Sequence, residues 1–211
     1  SGDRAVEAED GPIWIFSSPD EGERRRLVET IGLDGQTLAS ALDPDELARV
    51  EHEADHLAVI LKRPRSWMEG DGRVFRVASV GLFLFPDKLV VVTDEDVPIL
   101  DDAKAAPRGG TPSGALLRIA HRTVYHFLEH LRVIGALSDE IEGRIATSIE
   151  NRQLLVLFRL EKSLVHYQSA LDGNGAALER LKASAVKFGL DPDQALARIR
   201  ARHSPPGCCG R

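Results

Sequence analysis

His52-Glu53-Ala54-Asp55-His56 carries the spacing His-Glu-x-x-His, which on a helix sets two imidazoles one turn apart with a carboxylate beside a metal-bound water. That is zinc peptidase chemistry. It needs the middle of a helix, and here Leu57-Ala58-Val59-Ile60-Leu61 follows at once as a buried strand, so the motif lacks its context. His126 and His130 repeat the four-residue spacing around Glu129 and can clip a metal on one helix face. Both fall off the apolar stripe, where histidines are ordinarily just hydrated. Asp43, Asp45 and Glu46 bracket Pro44 and offer hard oxygen ligands of the kind magnesium or calcium accepts. They are the metal candidates of this chain, with helix capping as the competing role. Asp94-Glu95-Asp96 and Asp101-Asp102 read as solvated loop acids. No phosphate-cradling glycine loop, serine nucleophile elbow or zinc-spaced cysteine pair occurs, so no catalytic or cofactor-binding residue is assigned and no enzyme is expected.

The 211 residues mix 33 acidic with 27 basic side chains for a formal charge of −6, which leaves no broad basic surface for a phosphate backbone. Nucleic acid is not an expected partner. Arg24-Arg25-Arg26, the one dense basic cluster, reads as the solvated face of a short helix. No window reaches the roughly 20 apolar residues a membrane-crossing helix needs, and the acidic start is no signal peptide, so the chain as given reads as soluble. Cys208 and Cys209 are adjacent in a Pro-Pro-Gly-Cys-Cys-Gly tail and cannot staple a core.

The elements that position these residues fall into two halves. Ile13-Trp14-Ile15-Phe16 is a short strand, followed by a helix between Asp20 and Ile31 and a second through Leu38 and Leu42 that Pro44 stops. Leu57 to Leu61 is a buried strand, and Val74 to Phe85 turns through Pro86-Asp87-Lys88 into Leu89-Val90-Val91-Val92-Thr93 as an antiparallel hairpin. The expectation is an α+β fold, a mixed and largely antiparallel sheet of at least four strands flanked by helices. Residues 1–112 form this α/β/α domain, 113–203 a helical stalk of about three helices, and 204–211 a disordered tail.

In the stalk, Leu117, Val124, Leu131, Ser138 and Ile145 share one heptad position, and Ala120, Phe127, Ile134, Ile141 and Ser148 the position three later. A second run places Leu157, Leu160, Leu164, Tyr167 and Leu171 likewise, with Leu154, Phe158 and Val165 widening the stripe, so this helix should touch two neighbours. Asp172-Gly173-Asn174-Gly175 reads as a loop, and Leu178, Leu181, Ala185 and Phe188 as a third helix.

Trp14-Ile15, Ala41-Leu42-Asp43-Pro44-Asp45-Glu46 leading to Arg49-Val50-Glu51, and Leu57 to Leu61 resemble the cytoplasmic part of CorA-type magnesium transporters. Val80 to Phe85 with Leu89 to Thr93 resembles that family's central hairpin. Asp139-Glu140-Ile141 and Leu160-Glu161-Lys162-Ser163-Leu164-Val165 resemble its helical section. The resemblance covers roughly Ile13 to Phe188. It implies a domain on the cytoplasmic face of the cell membrane, assembled as a homopentamer, that helps gate a pore for Mg2+ or another divalent cation. The pore's membrane helices, and the Gly-Met-Asn signature after the first, have no counterpart in this chain. The family's regulatory acidic positions align with Ala39-Ser40 and Val124, which implies that the regulatory site is missing, with Asp43 and Asp45 one turn away as substitutes. The alternative is a free-standing scaffold or regulatory module that binds another protein.

Overall fold

The structure, a computed structural model, describes residues 11–69, 72–96, 111–145 and 151–184. Among the described residues five strands run β1 (Ile13–Ser17), β2 (Arg49–His52), β3 (Leu57–Glu69), β4 (Gly72–Leu84) and β5 (Leu89–Thr93), in the spatial order β1-β5-β4-β3-β2. Only the β1–β5 pair is parallel. The sheet is therefore mixed and largely antiparallel, as its hairpin signals require.

Asp20 starts α1 (Glu21–Glu29) with a full capping box: its carboxylate accepts from the Glu23 amide at 2.8 Å, and Glu23 accepts from the Asp20 amide at 2.9 Å. Asp34 caps α2 (Gly35–Leu42) with its carboxylate alone, accepting from the Thr37 amide at 2.8 Å. Both helices lie on one face of the sheet, where Leu27, Ile31, Leu38 and Ala41 meet Ile60, Phe83, Val90 and Val92. Gly81 lets α2 come this close. A Cβ there would stand 2.6 Å from the Ala41 Cβ and 2.9 Å from the Phe83 ring.

The other face is covered by the ends of two long helices, α3 (Pro112–Ile145) and α4 (Asn151–Ser184), each 34 residues and so about 51 Å long. Ala115, Leu116, Ile119 and Ala120 of α3 and Ala177 and Leu181 of α4 share a core with Leu57, Val59, Leu61, Val80, Leu82 and Val91. Farther along, the helices pair with each other through Phe127, Ile134, Ile141, Leu160, Tyr167 and Ala170. This second core also holds Phe75 of β4.

Two expectations need correction. The residues 172–175 are not a loop, because α4 runs unbroken through them, and the described residues contain two long helices where three were expected. Ala185, Phe188 and the cysteine tail lie outside the described residues. The α4 seam is also displaced: Leu160, Ser163, Tyr167, Ala170, Asn174, Ala177 and Leu181 are buried at alternating three- and four-residue steps, whereas Leu164, Phe158 and Val165 are exposed. Small and polar residues, Ser163, Ala170, Asn174 and Ala177, carry four of those seven positions, so an apolar count could not find it.

The reason lies in the sheet. β3 and β4 run on as a two-stranded ribbon beyond both neighbours, since β2 ends at the Arg49–Ile60 pair and β5 at the Thr93–Val80 pair. Past Ile60, β3 has an open edge. Asn174 closes it: its side-chain carbonyl accepts from the Lys62 amide at 2.7 Å, and its NH2 donates to the Lys62 carbonyl at 2.8 Å. Pro64 sits two residues on and faces the same open side, where a missing amide costs nothing. On β4, the Ser163 hydroxyl donates to the Phe75 carbonyl at 3.2 Å.

Candidate functional site

The acidic turn between α2 and β2 is built around a lysine. Lys62 is buried, and its ammonium donates to the Pro44 carbonyl at 2.7 Å and to the Ser79 hydroxyl at 2.9 Å; that hydroxyl in turn donates to the Asp43 carbonyl at 2.5 Å. Burial lowers the Lys62 pKa, opposed by the charges of Asp43, Asp45 and Glu46. The Asp43 carboxylate accepts from the Asp45 amide at 2.8 Å, so it closes a turn and does not start a helix. Glu46 accepts from the Ser40 hydroxyl at 2.9 Å and the Leu47 amide at 3.1 Å, and pairs with Arg49 at 2.9 Å. The Leu47 amide first, then the Ser40 hydroxyl, hold its carboxyl below the usual range. The turn thus gathers three acids around a resident cation. Among the described residues, no three His, Cys, Asp or Glu side chains converge on one point where a metal ion could sit.

The His-Glu-x-x-His residues are drawn apart. β2 ends at His52, which is exposed with its Nε2 2.8 Å from the Ser184 hydroxyl, and the Glu53 amide bonds the His56 carbonyl at 3.0 Å to turn the chain. His56 is buried, stacked on Phe85 at 4.7 Å, and its Nδ1 lies 2.7 Å from Asp55. That hydrogen bond is the main cause holding the Asp55 carboxyl below its usual range. The two imidazoles cannot share a ligand.

His126 and His130 are not simply hydrated. Their rings meet edge to face at 4.5 Å, and His130 Nδ1 lies 2.7 Å from the hydroxyl of Tyr167, which joins α3 to α4. Burial raises the Tyr167 pKa. Burial also lowers that of His126, against the pull of Glu129 and with help from Arg122 and Arg63. Asp94 and Glu95, expected as solvated acids, hold the ribbon. Both pair with Arg63, which is 2% exposed, Glu95 at 2.9 Å; Arg65 pairs with Asp94 at 3.1 Å and Glu95 at 3.0 Å. The signal was present in Arg63 and Arg65, whose spacing of two puts both on one strand face. Asp101 and Asp102 lie outside the described residues. Of the remaining aligned positions, Ala39 is exposed and Val124 half-buried.

No described helix is long and apolar enough to cross a membrane. Residues 9–203 match the family model described as CorA-like Mg2+ transporter protein. The cobalt/magnesium transport protein CorA of Methanocaldococcus jannaschii is 24% identical over 191 residues, which cover 86% of this chain and 59% of that protein. The chain thus spans about three-fifths of that relative's length. In fold it is similar to the soluble domain of CorA from the same organism, with a TM-score of 0.66 at 17% identity over 88% of this chain and 81% of that one. It is likewise similar to the ZntB cytoplasmic domain from Vibrio parahaemolyticus, with a TM-score of 0.63 at 13% identity over 87% and 74%. The family match runs through the sheet and both long helices, in keeping with the resemblance read from the sequence: this chain belongs to the CorA-like Mg2+ transporter family.

Proposed function

We propose that this chain is the cytoplasmic part of a divalent cation transporter, with magnesium as the cargo, and that it supports the assembly and gating of a pore formed by membrane helices outside these 211 residues. The observation that carries this reading is the family match over residues 9–203, which includes the head, both long helices and the acidic turn. The cargo is supported by what the relatives are named for, magnesium and cobalt. The cytoplasmic placement is supported by the similarity to a ZntB cytoplasmic domain. Subunits close around the pore as a homo-oligomer, and a pentamer is the number the resemblance implies. Exposed Leu154, Leu155, Phe158 and Val165 on α4 supply apolar surface for contacts beyond the chain. Asp43, Asp45 and Glu46 follow the aligned Ala39-Ser40 closely in sequence, Glu46 accepting from the Ser40 hydroxyl, and their part is to present negative charge balanced by Lys62.

A chimera tests the reading. This chain replaces the matching segment of the M. jannaschii transporter, and magnesium uptake is followed in liposomes with an ion-sensitive dye. Uptake above empty liposomes is expected. A chimera that inserts and assembles yet passes no cation overturns the proposal.

A further inference from the structure

The two helix cores are distinct, and α3, α4 and β3 each carry a locally weak feature at one level between them. The sheet-side core contains Ala120 of α3 and Ala177 of α4; the distal core begins at Phe127 and Ala170. Between them α3 carries Thr123, fully buried, whose hydroxyl donates back to the Ile119 carbonyl at 2.8 Å, a bond that loosens and bends helices. Opposite, α4 carries Gly173-Asn174-Gly175. Neither glycine has positive φ. A Cβ at Gly175 would meet nothing within 4 Å, and one at Gly173 would make an ordinary 3.5 Å contact with Ala48. Packing requires neither, and two glycines in three residues weaken a helix substantially. The ribbon crosses the same level at Lys62, held by Asn174, and continues through Pro64 on an open edge. Gly135 and Gly143 of α3 are also free of contacts, but each is a single glycine farther along the distal arm, away from the level of Thr123.

We infer that Thr123, Gly173-Asn174-Gly175 and Lys62–Pro64 form a hinge, about which the distal arm of α3, α4 and the ribbon tip swings against the sheet. Asn174 is the pivot, because its two bonds keep α4 attached to the β3 edge while the flanking glycines bend. The Arg63 and Arg65 pairs with Asp94 and Glu95 tie the ribbon to the end of β5 and set the resting angle. The hinge lies next to the acidic turn, since Lys62 serves both through its backbone and its ammonium.

Spin-label distance distributions test this in the full chain with Cys208 and Cys209 replaced by Ser. Glu29→Cys with Arg132→Cys spans the hinge, and Glu29→Cys with Glu53→Cys lies within the head; all three sites are exposed. The spanning pair is expected to give a clearly broader distribution. Gly173→Ala with Gly175→Ala should narrow it to the width of the head pair, and Asn174→Ala should broaden it while the helical circular dichroism is kept. A spanning pair as narrow as the head pair, or one whose width the double alanine variant leaves unchanged, overturns the hinge. The inference stands apart from the transport reading: rigidity would refute only the hinge, and absent uptake in the chimera only that reading.

Discussion

Replacing Asn174 by Ala should remove about 2 kcal/mol of stability. The side chain is 1% exposed and satisfies both the amide and the carbonyl of Lys62 on an edge that no strand covers. Leaving a buried backbone group without a partner costs about 1–3 kcal/mol. Two such groups at a strand edge, where water can approach once the amide is gone, fall at the low end, about 2.5 kcal/mol together. Alanine returns roughly 0.5 kcal/mol through its better helix propensity. Against a total stability of about 5–15 kcal/mol this is a large change from one uncharged buried side chain. Urea unfolding followed by circular dichroism reads it as a lowered midpoint with the slope kept. Hydrogen exchange adds a local reading, because the Lys62 amide should lose protection more than its neighbours in β3. A loss below about 0.5 kcal/mol with that amide still protected would refute the argument that Asn174 stands in for a missing strand.

Gly81→Ala should destabilise by about 1–3 kcal/mol, since the new Cβ stands 2.6 Å from Ala41 and α2 must shift; adding Ala41→Gly should recover part of the loss in the same unfolding assay. Stability should also fall on acidification below about pH 6.5, the ordinary histidine range. Burial holds the His126 pKa below 6.5, so between its folded value and 6.5 the unfolded chain binds a proton the folded one does not, and stability rises with pH through that window. His126→Gln should flatten this part of a stability–pH profile, and an unchanged slope would exclude His126 as its source.

The head was legible because its elements announce themselves locally. Asp20 opens α1, Pro44 follows the end of α2, and Pro86-Asp87-Lys88 turns β4 into β5, each by chemistry within a few residues. The ribbon and the α4 seam were hidden because their determinants are far apart in sequence. Lys62, Arg63 and Arg65 look like the polar end of a strand until Asn174, 112 residues away, and Asp94 and Glu95, about thirty away, supply their partners. Gly173-Asn174-Gly175 has the composition of a loop, and tertiary bonding overrides that local preference. At the candidate site the acids of the turn were visible. Their neutralising lysine was not, because Lys62 reaches them from a neighbouring strand.

Pro64 has a consequence for the chain before it is fully assembled. A ribbon that outgrows its sheet offers bare backbone to any passing copy, and such templates seed fibrous self-association. A proline at the outward-facing position withholds a donor from a would-be added strand, and it does so in the newly made polypeptide, ahead of any docking of α4. The extension that holds the helical arm can therefore be long without making the protein sticky.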